Sequence, residues 1–125
     1  MNLTTYDKIL FMAAAAFNIS AATTLIFSPE TILARLKITD QRAKLLARSM
    51  ASSVLAWGIA YACIVIDPVR FREFVLLGIF SKTIFFIVYA IAFFRKEIDG
   101  KTFVPAVIDL ILAVLFAEYW MRTRG

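Results

Sequence analysis

Four apolar runs dominate this chain, and each is long enough to cross a bilayer. They cover about residues 9–27, 43–66, 74–94 and 102–120, and a helical span needs roughly 20 predominantly apolar residues. Only 18% of the residues are charged and 62% are hydrophobic, where soluble domains carry about 25% charged residues. The runs take up most of the 125 residues, so no separate soluble domain fits between them. The expected fold is all-α: one integral membrane domain over residues 1–125, a four-helix bundle, with a short amphipathic helix after the first span.

The ends of the runs carry helix punctuation. The first run follows Lys8 and contains AAAA and SAA, which resemble signal-peptide cleavage sites. It exceeds a typical signal-peptide core, so it is read as a retained span. Next comes SPETILARLKI, where Ser28 suits an N-cap and Pro29 a first helical position. Ile32, Leu33 and Leu36 share a face opposite Arg35, the pattern of a helix lying on the membrane surface. Asp40 is expected to cap the second span. Asp67 is expected to cap the third, with Pro68 as its first residue, giving a tight turn and antiparallel neighbours. Asp99–Gly100 supplies the turn before the fourth span. Tyr119, Trp120, Arg122 and Arg124 read as an interfacial anchor. Arg35, Lys37, Arg42, Lys44, Arg95, Lys96 and Lys101 lie in the loops after spans one and three, against Lys8, Arg70, Arg72, Arg122 and Arg124 at the other end. The bias leans towards those loops lying inside.

Composition also excludes chemistry. The chain has no histidine, so imidazole holds neither haem nor zinc, and no metal site is expected. Cys63 is the sole cysteine, which rules out an internal disulfide and a CxxC redox pair. The net charge of +5 is assigned to loops and lipid headgroups rather than to nucleic acid, for which no motif is present.

The third run, FVLLGIFSKTIFFIVYAIAFF, places Lys82 near its middle. A charge at the bilayer centre costs about 2.5–3.5 kcal/mol on the insertion scale and must find a partner or the bundle interior. Asp109, on the next span, is the expected ion-pair partner. At about 1.5 Å rise per residue, Asp109 lies roughly 11 Å and Lys82 roughly 18 Å below the connecting loop, an offset that a lysine stem bridges. Arg48 enters the same half of the membrane on the second span, and Asn18 lies roughly 13 Å down the first. Ser49, Ser52 and Ser81 fall at similar levels. Each span therefore contributes to one polar layer, and Lys82, Phe85, Phe86 and Tyr89 share a helical face that runs from it towards the connecting loop. Small residues on the first span (Ala14, Ala15, Ala21, Ala22) and on the second (Gly58, Ala62) permit close helix approach. The expected ligand-binding set is Asn18, Arg48, Ser52, Lys82, Tyr89 and Asp109. Arg48 and Lys82 together outnumber Asp109, and an anionic or carbonyl-bearing ligand would relieve that imbalance.

The segment RSMASSVLAWGIAYACIVIDPVRFREFVLLGIFSK, followed by AVIDLILAVLF, resembles the DoxX-like group of small four-span bacterial membrane proteins. The resemblance rests on Arg48, Trp57–Gly58–Tyr61, Asp67–Pro68–Arg70, Leu77–Gly78–Lys82 and Asp109, and it extends over three of the four spans. It implies a four-helix membrane fold in the bacterial inner membrane. Some members of that group are quinone-linked oxidoreductase subunits, but this chain lacks the histidines and paired cysteines that redox chemistry would use.

Three functions compete. The first is a binding or accessory subunit whose polar layer holds a lipophilic molecule with an anionic or carbonyl head, such as a quinone or lipid, beside a partner protein. The second is a small transporter working as a homodimer and coupled through Asp109 and Lys82. The third is a structural or assembly protein with the polar layer as glue. Independent catalysis is not expected, since no nucleophile–base pair, metal cage or phosphate loop is present.

Overall fold

The computed structural model describes residues 3–123. Among these it holds five helices and no strand: α1 (Thr5–Phe27), α2 (Pro29–Arg35), α3 (Ala43–Ile66), α4 (Arg72–Phe94) and α5 (Gly100–Thr123). All but α2 are long and apolar enough to cross a membrane. Their outward faces carry large exposed apolar side chains, among them Leu45, Leu46, Ile66, Phe80 and Phe94. Water would not tolerate so much contiguous apolar surface, and lipid does. The chain is a membrane protein with a four-helix bundle.

The helix ends explain themselves in local chemistry. Thr4 and Asp7 form a reciprocal capping box at the start of α1. The α2 helix ends with Lys37 at φ 58° and an Ile38 N–H donated back to the Leu33 carbonyl. The α4 helix ends in the same way, with Lys96 at φ 60° and the Glu97 N–H on the Ala92 carbonyl. Both are left-handed C-terminal caps, a place that usually takes glycine. Asp99 accepts the Thr102 N–H at 2.8 Å and so caps α5.

Three expectations about the ends change. Asp67 closes α3, and Pro68 lies in a turn of its own, so α4 begins only at Arg72. Asp40 accepts from the Arg42 N–H, but α3 starts without a side-chain cap. Tyr119 is not an interfacial anchor: it is fully buried and meets the Phe11 ring edge-on at 4.9 Å. Its neighbour Trp120 does anchor an arginine, with the Arg72 guanidinium 4.2 Å from its ring. Arg122 is tied to Asp7 and Glu118. Arg124 lies outside the described residues.

Packing divides the bundle into two unequal halves. At the end that carries the termini, all four spans share one core: Leu10, Phe11, Ala14 and Ala15 from α1, Tyr61 and Ile64 from α3, Val75 from α4, and Leu112, Phe116 and Tyr119 from α5. At the other end the core splits. There α1 and α3 pack on each other through Ala22, Leu25, Ala47 and Ala51, with Ile32 of α2 against them. The α4 and α5 helices pair separately through Phe93 and Phe103, stacked at 4.6 Å, and through Phe86 and Phe103. The bundle is thus closed at one end and forked at the other.

Glycine fixes the first pair. A Cβ placed at Gly58 would meet Ile19 Cγ1 at 2.9 Å and the Ala15 carbonyl oxygen at 3.3 Å, so α1 and α3 sit as close as they do only without a side chain there. Gly58→Val should cost about 1–3 kcal/mol and lower the melting temperature in detergent. Ala56→Val, at an exposed position two residues away, should leave it unchanged.

Candidate functional site

The fork encloses a cleft of about 540 Å³. One wall is α1, α2 and α3 and the other is α4 and α5, because each pair packs internally at this end. The floor is where the shared core begins, and it is polar. Lys82 Nζ donates to Asp109 Oδ1 at 2.5 Å and to Asn18 Oδ1 at 3.3 Å. Asn18 in turn donates from Nδ2 to the Val54 carbonyl at 3.2 Å. A single run of hydrogen bonds therefore passes from α3 through α1 and α4 to α5.

Burial makes this run consequential. The Lys82 side chain is 3% exposed and that of Asp109 12%. An unpaired charge at that depth would be far more costly than the pair. The ammonium carries three donors, and among the described residues two oxygens accept from it. The rings of Tyr61 and Phe17 lie 5.1 and 5.6 Å from Nζ, within the range where an aromatic face attracts a cation. Tyr61 is held in place by Gly78, whose missing Cβ leaves room for Cε1 of that ring at 2.9 Å, and by an edge-on contact with Phe116.

Above the floor the walls turn aromatic and apolar. Phe17, Trp57, Phe85, Tyr89, Val54, Leu25 and Ile32 line the cleft, with Ser53 and Ser81 between them. Phe85 and Tyr89 stack at 4.4 Å. Arg35, Thr31 and Thr102 stand at the loop end. The Thr102 hydroxyl is buried and has no hydrogen-bond partner among the described residues. A separate hollow of about 450 Å³ lies at the α2–α3 connection, among Leu33, Lys37, Ile38, Asp40 and Lys44, and does not touch the polar floor.

Of the six residues expected at the site, Asn18, Lys82, Tyr89 and Asp109 line the cleft. Arg48 and Ser52 do not. The face of α3 that lines the cleft is Met50, Ser53, Val54, Trp57 and Tyr61, and at about 100° per residue Arg48 and Ser52 fall on the opposite side of the helix. Arg48 is exposed and donates from Nε to the Ile26 carbonyl, which closes the last turn of α1 as a cation at a helix C-terminus should. Ser52 returns its hydroxyl to the Ser49 carbonyl. The imbalance of two cations against one carboxylate therefore does not arise, and the floor is electrically balanced. Phe86 also leaves the cleft, to pack on Phe103.

The structure adds residues that the polar pattern alone missed. Trp57 and Tyr61 continue the Val54 face of α3 at helical spacing, a signal present in the sequence as an aromatic stripe. Arg35 was placed on the solvent side of α2, yet α2 folds over the cleft and brings it to the rim. The chain matches no family model, no curated protein and no solved structure.

The ion pair yields a thermodynamic test. Lys82→Met or Asp109→Leu alone strands one buried charge and should cost about 3–5 kcal/mol in detergent unfolding, while the double variant should recover much of that. Additive losses in the double-mutant cycle would mean that the two groups do not interact.

Proposed function

We propose that this protein binds a lipophilic molecule with a carbonyl-type head, quinone-like or lipid-like, in the cleft between its two helix pairs. The observation that carries the reading is the unfinished coordination of Lys82: three ammonium donors, two protein oxygens, and a cleft of ligand size beside it. A carbonyl oxygen would complete the set. Asp109 orients the ammonium, Asn18 holds it from the α1 side, and Phe17, Trp57, Tyr61, Phe85 and Tyr89 offer flat apolar surface to a ring or chain. Few polar groups in a mostly apolar pocket is the usual composition of a small-molecule site.

On this reading the protein acts as a binding or accessory subunit, and any chemistry on the ligand belongs to a partner. Membership of the DoxX-like group is part of the same proposal. Its supporting residues Tyr61, Gly78, Lys82 and Asp109 meet around the floor. The excess of basic loop residues at the forked end supports a cleft that opens to the cytoplasmic side of a bacterial inner membrane. One observation favours a second reading, the structural one: the hydrogen-bonded run touches every spanning helix and would also serve as glue.

Native mass spectrometry of protein extracted in mild detergent separates the two. A small-molecule adduct should persist on the wild type and on Arg48→Ala, which lies outside the cleft. It should fall at least about tenfold on Lys82→Met, the loss expected for a charge-assisted hydrogen bond. A bare chain, or an adduct indifferent to Lys82→Met, would leave the polar run as glue.

A further inference from the structure

The rim of the cleft carries a cation that the bundle itself does not use. Arg35 lines the loop end of the cleft, is exposed, and makes no hydrogen bond or ion pair among the described residues. The other arginines near this end differ: Arg42 is paired with Asp40, and Arg48 closes α1.

The acid whose charge Arg35 influences is Asp99, just ahead of α5. Its carboxyl is held below the ordinary carboxylate range, first by hydrogen bonding from Thr102 and then, against some desolvation, by the charges of Lys101 and Arg35. Asp99 caps α5 and makes no ion pair with Arg35 among the described residues, which leaves the guanidinium available to an anion. The surroundings are basic as well. Arg35, Lys37, Arg42, Lys44, Arg48, Arg95, Lys96 and Lys101 stand at this end, against Glu30, Asp40, Glu97 and Asp99.

The cleft therefore has two polar ends and an apolar middle. Thr102 stands at the rim and Asp109 at the floor, seven residues apart on α5, so the ends are separated by about 10 Å. Its volume of about 540 Å³ falls in the ordinary range of small-molecule sites.

We propose that the occupant is a short anionic amphiphile, its acidic head on Arg35 at the rim and a carbonyl-type acceptor at its far end, about 10 Å away, on Lys82 at the floor. The proposal rests on the reading of the cleft as a lipophile site and adds the charge, the length and the direction of the ligand. Carboxylate and phosphate heads share the required chemistry.

The test uses four probes on the purified full chain in detergent, with bound fractions read by native mass spectrometry. They are a decanoate with a ketone at C9, its methyl ester, plain decanoate, and the corresponding alkyl phosphate with the ketone. The keto acid should bind about tenfold tighter than its ester, the scale of one charge-assisted hydrogen bond. That preference should collapse towards unity in Arg35→Gln and shrink with added salt. The preference for keto acid over plain acid should survive Arg35→Gln and vanish in Lys82→Met. Tighter binding of the phosphate than of the keto acid would assign the head as phosphate. Equal binding of acid and ester, or a preference unchanged in Arg35→Gln, overturns the inference. If the ketone dependence on Lys82 persists in that case, the cleft remains a lipophile site. Absence of binding by all four probes overturns both. Arg35 is exposed, so an unchanged melting temperature in Arg35→Gln confirms that the variant is folded.

Discussion

The ammonium of Lys82 is the constraint around which this bundle is arranged. Buried to 3% exposure in a mostly apolar span, it would be expelled to the interface unless oxygen atoms met it at depth. Asp109 and Asn18 meet it from two other helices, and Asn18 is itself fixed by the Val54 carbonyl of a third. Apolar side chains cannot specify register in lipid, because lipid tails satisfy them equally well. A directional run of hydrogen bonds through α3, α1, α4 and α5 can. It sets the depth at which the four helices line up, and the small residues around it, Gly58 and Gly78, let them approach.

That run also marks a boundary. On the side of the termini, aromatic and branched side chains fill the space between all four spans. On the loop side the two helix pairs part, and the polar groups become the floor of a cleft instead of the centre of a core. The same groups that hold the bundle together are therefore the ones a ligand would reach. Structural and binding roles need not compete here, since a lysine with two of three donors satisfied is stable enough to persist and incomplete enough to attract an acceptor.

Much of this was readable in the sequence, for identifiable reasons. The four spans follow from length and hydropathy, and their observed limits differ by at most a few residues from those expected. The Lys82–Asp109 pairing was legible because a short turn makes α4 and α5 antiparallel neighbours, which turns sequence separation into depth. Arg48 and Ser52 were misjudged because depth was matched without rotation. Both lie at the right level, but on the side of α3 away from the cleft-lining Met50, Ser53, Val54, Trp57 and Tyr61. Arg35 was misjudged for the opposite reason. Its rotation on α2 was right, but the sequence carries no signal for where a seven-residue surface helix settles relative to a fork it does not span. The fork itself was not legible, since it arises from how two helix pairs lean, and both pairs read as equally apolar.

The most direct test is the distance between Lys82 Nζ and Asp109 Cγ in a bilayer. Solid-state NMR on protein labelled with ¹⁵N at lysine and ¹³C at aspartate would measure it through dipolar recoupling. Lys82 is the one lysine ion-paired to an aspartate among the described residues, so one strong coupling is predicted, at direct-contact distance and absent in Lys82→Met. Without that coupling in the wild type, the ammonium would lie elsewhere, and the polar floor, the helix register and the cleft above it would all need a different explanation.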